Sequence, residues 1–279
     1  MRTALLTIFA MLAFAGNSIL CRYALGSGSI DPLTFTLVRL VSGAIVLVFL
    51  LALVQRRSQV ASSKLGSWPS AIALFVYALC FSLAYVKVGT AEGALILFAT
   101  VQLASLSASA MSEAKPGLRE IAGMLVALAG VAILLLPQAS RPDLFGAIVM
   151  VLSGVGWAGY TLLGRGVANP LASTCGNFVR AALLAIICIT PFVFHADGAT
   201  LIGWGFALLS GGLTSAIGYA VWYQALAKLT ITQASVVQLS VPVIAALGGV
   251  VVVKEALSVA LLLSMVTVVS GIALTLRRH

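Results

Sequence analysis

Charged side chains are scarce in this sequence. Asp, Glu, Lys and Arg together make up 8% of its 279 residues, whereas hydrophobic residues make up 61% and the mean hydropathy is +1.15. A soluble domain carries about 25% charged residues. Because seven acidic and sixteen basic side chains cannot cover a water-facing surface of this size, the composition excludes a soluble domain and indicates an integral membrane protein.

Motifs of cofactor, metal and nucleotide sites are also missing. The four cysteines (Cys21, Cys80, Cys175 and Cys188) have no C-x-x-C or metal-binding spacing and lie in or beside apolar runs, which is typical of packing residues. The sequence contains neither a P-loop nor H-E-x-x-H. Residues 154–159, GVGWAG, match the dinucleotide pattern but lie inside an apolar run, where glycines permit close helix contact. We therefore expect no cofactor, no metal site, no ATP-driven transport by this chain alone and no enzymatic activity.

The apolar runs predict an all-α polytopic membrane protein with ten transmembrane helices, because a span needs roughly 20 apolar residues. The predicted spans are 3–25, 33–54, 70–88, 92–111, 118–136, 143–164, 171–193, 201–223, 232–252 and 258–276. The start, MRTALLTIFAMLAFAG, also resembles a signal peptide, but the rest of the chain is equally apolar and a first span is the simpler interpretation.

The net charge of +9 resides in short loops rather than in a basic tail or face, so it favours a topological role and no nucleic-acid partner. With ten spans, both termini lie on one side of the membrane. That side would carry Arg2, Arg56, Arg57, Lys64, Lys115, Arg119, Arg165, Lys228, Arg277 and Arg278. The other side would carry only Arg22, Lys87, Arg141 and Lys254. This excess predicts that both termini are cytoplasmic.

The chain is also internally repeated. FAGNSILCRYALG, followed by Pro32 and an LVR that ends at Arg39, corresponds to WAGYTLLGRGVANP and an FVR that ends at Arg180. TAEGALILFATVQ (90–102) corresponds to TITQASVVQLSVP (230–242) at a nearly constant offset. The sequence is therefore interpreted as two copies, 1–137 and 141–276, of five spans each. Because five is odd, the second copy would cross the membrane in the opposite sense, an arrangement common in secondary transporters.

This duplication resembles the drug/metabolite transporter superfamily, and most closely the EamA-type ten-span exporters. The resemblance rests on the Pro–x(n)–Arg of each second span, the fourth-span ends at Ser112-Glu113 and Lys254-Glu255, and the Gly-rich fifth spans. Within that group the chain looks most like YddG-type amino-acid exporters. The resemblance implies a bacterial inner-membrane exporter of amino acids or related metabolites. One departure is Gln102, which stands where the second copy has Pro242, so a matching hinge in the first half is not implied.

Substrate sites of inverted-repeat transporters lie near the membrane midplane between the repeats. Polar and aromatic side chains at that predicted depth would form a cavity suited to amphipathic solutes. The candidate substrate-binding residues are Asn17, Tyr77, Gln102, Trp157, Tyr160, Tyr219, Gln238 and Ser240, with Ser18, Ser82 and Ser215 nearby. The alternative for any one of them is that it joins helices or faces lipid. Trp157 and Gln238 are the strongest candidates, and Trp157 aligns with Phe14 in the first copy.

Arg39 and Arg180 occupy equivalent places inside the second span of each copy. An intramembrane arginine needs a partner. One hypothesis is that one of them binds a substrate carboxylate. Either arginine could also form a contact at a gate. The favoured interpretation is structural: the two side chains snorkel to headgroups or bond carbonyls at broken helix ends, since they lie towards opposite membrane sides. Pro242 is a further candidate for a gating or structural role.

No acidic residue or histidine is predicted at mid-span, where proton relays usually lie. Transport by a buried carboxylate relay is therefore not expected, and Glu92 is the acid whose placement is least certain. The predicted function is a secondary transporter of small organic metabolites, with aromatic or neutral amino acids favoured, acting as a monomer in the lipid bilayer. The alternatives are a nucleotide-sugar, sugar-phosphate or drug transporter of the same superfamily, a membrane-embedded enzyme, and a non-transporting scaffold.

Overall fold

The computed structural model describes residues 2–57, 65–88, 90–112, 115–139, 143–193, 199–253 and 258–276. These residues form helices and short loops without any strand, and ten helical segments are long and apolar enough to cross a membrane. The predicted all-α fold with ten spans is confirmed. The predicted fourth-span exits at Glu113 and Lys254-Glu255, together with His195 and Asp197, lie outside the described residues.

The helices follow the predicted spans closely. They are α1 (Arg2–Gly26), α2 (Pro32–Arg57), α3 (Trp68–Tyr85), α4 (Thr90–Ala110), α5 (Leu118–Leu135), α6 (Leu144–Leu163), α7 (Pro170–Val193), α8 (Leu201–Leu226), α9 (Ile231–Gln238), α10 (Ser240–Val253) and α11 (Val259–Leu276). Two spans depart from a continuous α-helix. The middle of α8 is a π-helical segment, Ser210–Ile217, and the ninth span is interrupted at Leu239 between α9 and α10.

Local sequence explains where several helices begin. The Asp31 carboxylate accepts hydrogen bonds from the backbone N–H groups of Leu33 and Thr34, both at 2.9 Å, and so caps α2. Asp143 caps α6 by accepting the N–H of Gly146 at 2.8 Å. α2 and α7 both begin at a proline, whose missing N–H has no helical partner at that position.

Apolar side chains cover the outer faces of the bundle. On α1 the exposed residues Leu5, Ile8 and Leu12 are spaced three and four apart and therefore share one face. The outer face of α11 is similarly apolar, with Leu262 and Val266 exposed. Because such surfaces are stable only against hydrocarbon, these faces contact lipid.

Contacts between the two halves come in matching pairs. The repeat relates α1 to α6, α3 to α8 and α4 to α9 and α10. Accordingly, the contact of α3 with α6 matches the contact of α8 with α1. The contact of α4 with α6 likewise matches the contact of α10 with α1. α2 packs on α7, α4 on α9, and α5 on α11, each of which pairs a helix with its own counterpart. This pattern is what a two-fold relation between the halves requires, and it is consistent with the inverted repeat inferred from the sequence.

Candidate functional site

Two adjoining cavities lie between the halves. We call the membrane face where α1 begins and α11 ends the terminal face, and the opposite one the distal face. A vestibule of about 280 Å³ lies towards the distal face, because its lining includes the ends of α1 and α3 at Arg22 and Tyr85 and the start of α4 at Ala91. A smaller inner cavity of about 30 Å³ lies deeper and shares Ser18 and Phe81 with the vestibule.

Aromatic side chains form most of the inner cavity wall, and Trp157 of α6 lies at their centre. Its ring centroid is 4.8 Å from that of Tyr77, 4.9 Å from that of Tyr219 and 5.2 Å from that of Phe14. The Phe14 contact is edge-to-face, an arrangement that aligns the positive ring edge with the negative face. Trp157 is only 6% exposed. Four helices therefore converge on this one indole: α1, α3, α6 and α8.

A hydrogen bond between Trp157 and Gln238 connects α6 to the end of α9. The indole Nε1–H donates to Gln238 Oε1 at 2.5 Å. The Gln238 amide nitrogen donates to the carbonyl of Ala234 at 2.9 Å. Both polar groups of the glutamine amide are therefore used, and the side chain is fixed immediately before the helix break at Leu239.

Asn17 connects α1 to the π-helical segment of α8. Its Oδ1 accepts hydrogen bonds from the hydroxyls of Ser210 at 2.7 Å, Thr214 at 3.3 Å and Ser215 at 3.4 Å. The π-helix brings these three hydroxyls to one face, and such segments occur frequently at functional sites. Asn17 is 3% exposed and lines the inner cavity.

Arg39 lies behind the inner cavity rather than at a membrane surface. Its guanidinium donates through Nε to Ser215 Oγ at 3.0 Å, and through Nη2 to the hydroxyls of Tyr219 at 2.6 Å and Tyr77 at 3.4 Å. The side chain is 1% exposed. The favoured interpretation that Arg39 snorkels to headgroups or bonds carbonyls is therefore wrong, because neighbouring hydroxyls draw the side chain into the protein.

Arg180, the repeat counterpart of Arg39, has a different environment. It donates to the carbonyl oxygens of Leu65 and, at 3.0 Å, of Gly176, and its guanidinium lies 5.6 Å from the ring centroid of Trp68. These contacts agree with the interpretation that Arg180 bonds backbone carbonyls. It lines neither of the two central cavities.

The remaining predicted site residues lie outside the inner cavity. Gln102 donates to the carbonyl of Ser235 at 2.8 Å and so joins α4 to α9. Tyr160 is fully buried behind Trp157, with its ring centroid 5.8 Å away. Ser240 donates to the carbonyl of Val237 at 2.7 Å. Pro242, predicted as a gating residue, lines the vestibule. The structure therefore brings together Asn17, Tyr77, Trp157, Tyr219 and Gln238 of the predicted set.

Several apolar and aromatic lining residues were missed by the sequence analysis. Phe81 lines both cavities and Tyr85 lines the vestibule, while Phe98 of α4 lies across from them. Tyr77, Phe81 and Tyr85 are four residues apart and hence lie on one face of α3. That spacing could have identified Phe81 and Tyr85 as lining residues from the sequence. In contrast, nothing in the sequence around Phe98 distinguishes it from a lipid-facing residue.

The two ends of the site differ in how α4 meets α9 and α10. Towards the terminal face α4 and α9 are joined by the Gln102 contact and by the hydroxyls of Ser109 and Thr232, which are 3.1 Å apart. Towards the distal face the vestibule separates Ala94 of α4 from Ala245 of α10. The described structure is therefore open towards the distal face and closed towards the terminal face.

Comparisons with known proteins cover nearly the whole chain. A profile of the EamA-like transporter family matches residues 1–136 and again residues 144–277. An uncharacterized protein of Pseudomonas aeruginosa is 50% identical over 277 residues, which are 99% of this chain and 94% of the relative. An uncharacterized transporter of Archaeoglobus fulgidus is 27% identical over 88% of this chain and 87% of its own.

Two further similarities are more distant. The uncharacterized transporter YwfM of Bacillus subtilis is 26% identical over 84% of this chain and 81% of its own length. A solved structure superposes with a TM-score of 0.81 at 22% identity, covering 98% of this chain and 96% of the other. At that identity the superposition supports the fold alone.

Proposed function

Because the chain belongs to the EamA-like transporter family, we propose that it moves amino acids or similar small organic metabolites by alternating access around the inner cavity. It is a multi-pass membrane protein of a transporter family and not an enzyme. The proposed direction of transport is export.

The observation that carries the proposal is the Trp157–Gln238 hydrogen bond at the base of a cavity open towards one face. This contact links α6 to the helix break at Leu239, beside the closed contact of α4 with α9. Discontinuous helices at a central site are typical of secondary transporters. A shift of α9 relative to α10 at this break would open the terminal face while the aromatic wall keeps its place.

The two-copy organisation supports alternating access. We propose that residues 1–137 and 141–276 are inverted repeats, as the exchanged helix contacts suggest. In such a pair the terminal-face closure made by Gln102 and Ser109 has a distal-face counterpart between the start of α4 and the end of α10. Forming that counterpart while breaking the first would turn the cavity to the other side.

The size and lining of the site favour an amino acid over a larger solute. A vestibule of about 280 Å³ lies near the lower end of drug-sized pockets, which range from about 300 to 1,000 Å³. A nucleotide-sugar would need more room, and the aromatic lining suits an apolar side chain. A sugar-phosphate or a drug of the same size remains the second candidate class.

The membrane location of the protein and the side on which its termini lie are also part of the proposed function. We propose a monomer in the bacterial inner membrane with both termini in the cytoplasm, as the excess of basic residues on the terminal side predicts. The distal face is then periplasmic, so the described conformation is open to the outside. An exporter in this state has released its substrate and is ready to return.

The test is transport by purified protein in liposomes preloaded with mixed amino acids, with and without a pH gradient. Trp157→Ala and Gln238→Ala should each slow flux by about tenfold or more, since an unpaired buried polar partner costs about 1–3 kcal/mol. Trp204→Ala and Gln55→Ala are matched controls on exposed faces and should leave flux unchanged.

The results distinguish an error in the proposed site from an error in the proposed substrate class. Equal loss of flux in the cavity variants and in the exposed controls would contradict the assignment of the inner cavity. Absence of amino-acid flux with folded protein would overturn the substrate class, and the same vesicles would then be loaded with sugar-phosphates and cationic drugs. If none of these solutes moves, the protein is not the proposed transporter.

A further inference from the structure

The positive charge of Arg39 has no anionic partner among the described residues. All three of its hydrogen bonds go to neutral hydroxyls, those of Ser215, Tyr219 and Tyr77. Its Nη1 is buried and has no hydrogen-bond partner in the part of the chain that the structure describes. Arginine stays charged in proteins, so burial does not remove the charge by deprotonation. A buried, unpaired cation in a membrane protein indicates that an anion binds nearby during function.

The hydrogen bonds around Arg39 point from the guanidinium towards the inner cavity. Arginine can only donate, so the oxygens of Tyr219 and Tyr77 accept from it. The Tyr219 hydroxyl then donates to the Tyr77 oxygen at 3.3 Å. The Tyr77 oxygen thus accepts twice, and its own proton has no acceptor among the described residues. Since Tyr77 lines the inner cavity, this proton is available to a bound solute.

Asn17 presents a second donor to the same space. Its Oδ1 accepts from hydroxyls of the π-helical segment, whereas its Nδ2 makes no hydrogen bond to the described residues. Because Asn17 lines the inner cavity, the amide N–H₂ is also available to a solute. The two donors come from α1 and α3, and both belong to the hydrogen-bonded group around Ser215 and Arg39.

The two amide oxygens that line the inner cavity, those of Asn17 and Gln238, already accept hydrogen bonds. Gln238 Oε1 accepts from Trp157, and the Ser18 hydroxyl donates to the carbonyl of Phe14 at 3.1 Å. Among the described residues, no acidic side chain lines the inner cavity or the vestibule, and the only charged lining residue in that part of the chain is the cation Arg22. Glu92 is buried on α4, but its neighbours Ala91 and Ala94 line the vestibule instead.

We propose that the inner cavity binds the carboxylate of the substrate, through Tyr77 and Asn17 with Arg39 behind them, and that the substrate's amino group is not required. The cavity of about 30 Å³ exceeds the roughly 10–15 Å³ needed for one water and suits a group of carboxylate size. The apolar body of the solute then occupies the vestibule, whose mainly apolar lining includes Phe81, Tyr85 and Phe98. The substrate class is thus aromatic or apolar carboxylates, of which amino acids are one kind. The inference rests on the proposed transport function, because it names the group recognised at that site.

Four solutes that share a phenethyl group test the inference: phenylalanine, 3-phenylpropanoate, phenylalanine amide and phenethylamine. Binding is measured on purified protein in lipid nanodiscs by thermal stabilisation and by tryptophan fluorescence. Both carboxylates should bind, and the amide and the amine should bind about tenfold more weakly or not at all, because they lack the charged acceptor for the Tyr77 and Asn17 donors. Equal binding of the amine and the carboxylates would overturn the inference, as would no carboxylate binding.

Single substitutions test which residues recognise the carboxylate. Tyr77→Phe keeps the ring and removes the hydroxyl, and should abolish the preference for carboxylates while the amine is unaffected. Tyr23→Phe removes an exposed hydroxyl of α1 and is the matched control. Arg39→Gln should lose the same preference, and Arg39→Lys should retain part of it because the charge remains. If Arg39→Gln does not fold, Tyr77→Phe still decides, since an unchanged preference in that variant contradicts the inference.

Transport of the same four solutes separates this inference from the proposed function. Flux of the carboxylates together with exclusion of the amine supports both. Flux of all four solutes at equal rates supports transport and overturns carboxylate recognition. Selective binding of carboxylates without any flux supports the recognition and overturns transport.

Discussion

Arg39 and Arg180 are the same residue type at equivalent positions of the two copies, but they have different surroundings. The repeat places both arginines at the same point of a second span, and the same structural role was expected for both. Arg39 instead faces α8, where Ser215 of the π-helical segment and Tyr219 just after it offer hydroxyls. Arg180 faces the start of α3, where the carbonyl of Leu65 is exposed to it. The two halves have diverged at this point, because their neighbours supply different acceptors.

The acidic residues that the structure describes lie at helix ends. Asp31 and Asp143 are N-caps, and Glu92 and Glu120 lie in the first turns of α4 and α5. A negative charge in the first turn is favourable beside the unpaired N–H groups of the helix. The position of Glu92 therefore fits a structural role at the start of α4. It also fits the expectation that no carboxylate relay drives transport.

Glu92→Gln tests that expectation. The variant should keep both its flux and its response to a pH gradient, because the side chain does not line the vestibule or the inner cavity. Initial rates in liposomes at two pH gradients measure this, with Glu120→Gln as the control at another first turn. Proton coupling that is present in the wild type and lost only in Glu92→Gln would contradict the expectation.

At the scale of helices, small residues decide how closely α5 and α11 approach. Gly123, Ala127 and Gly130 lie along one face of α5, and a Cβ on Gly130 would lie 2.8 Å from the side chain of Val268. Gly271 contributes from α11. Without water to drive association, helices in a membrane gain stability from such close packing. The extensive contact between these two helices follows from that contact between backbones.

Gly271→Ala is therefore expected to destabilise the protein. An added Cβ would lie 2.5 Å from the backbone nitrogen of Ala127, so the helices must separate, at a cost of about 1–3 kcal/mol typical of overpacking. Gly205→Ala is the matched control, since nothing lies within 4 Å of a Cβ there. Thermal unfolding in detergent should show a lower midpoint for Gly271→Ala only. Equal midpoints for the two variants would show that the α5–α11 packing tolerates a methyl group.

At the scale of the whole molecule, the site is open towards one face. The vestibule lies at the distal face, and the contacts of Gln102 and Ser109 close the other. If both termini are cytoplasmic, as proposed, a solute from outside can reach Ser18 in this state, whereas a solute from inside cannot. The orientation of the chain and the conformation of the site can therefore be tested together.

Ser18→Cys in a background without the four native cysteines should react with a membrane-impermeant thiol reagent added outside intact cells. Ser18 lines both the vestibule and the inner cavity. Ser235→Cys, which is 1% exposed and lies on the closed side, should not react from outside. Mass spectrometry of the purified protein measures the labelled fraction. Labelling of Ser18→Cys only in inside-out vesicles would reverse the proposed orientation.

Local properties of the chain were enough to predict the ten spans, with bounds that lie within a few residues of the described helices. A span is specified by roughly 20 consecutive apolar residues, and Asp31 and Asp143 cap the helices that follow them. The duplication and the family resemblance were also visible from the sequence, since they depend only on the order of residues. Trp157 and Gln238 were chosen for their predicted depth in the spans, and the structure places both in the wall of the inner cavity. Their role in substrate binding stays a prediction.

Only the tertiary structure decided which of these side chains meet. Asn17, Tyr77, Trp157 and Tyr219 come from four helices, and their meeting depends on how each helix is rotated about its axis. Rotation is set by packing against neighbours and, for α8, by the π-helical segment, which hydropathy does not reveal. For the same reason Gln102 became a contact between helices and Arg39 a buried cation. The position of a residue along a span is a local property, whereas its neighbours are a property of the assembled bundle.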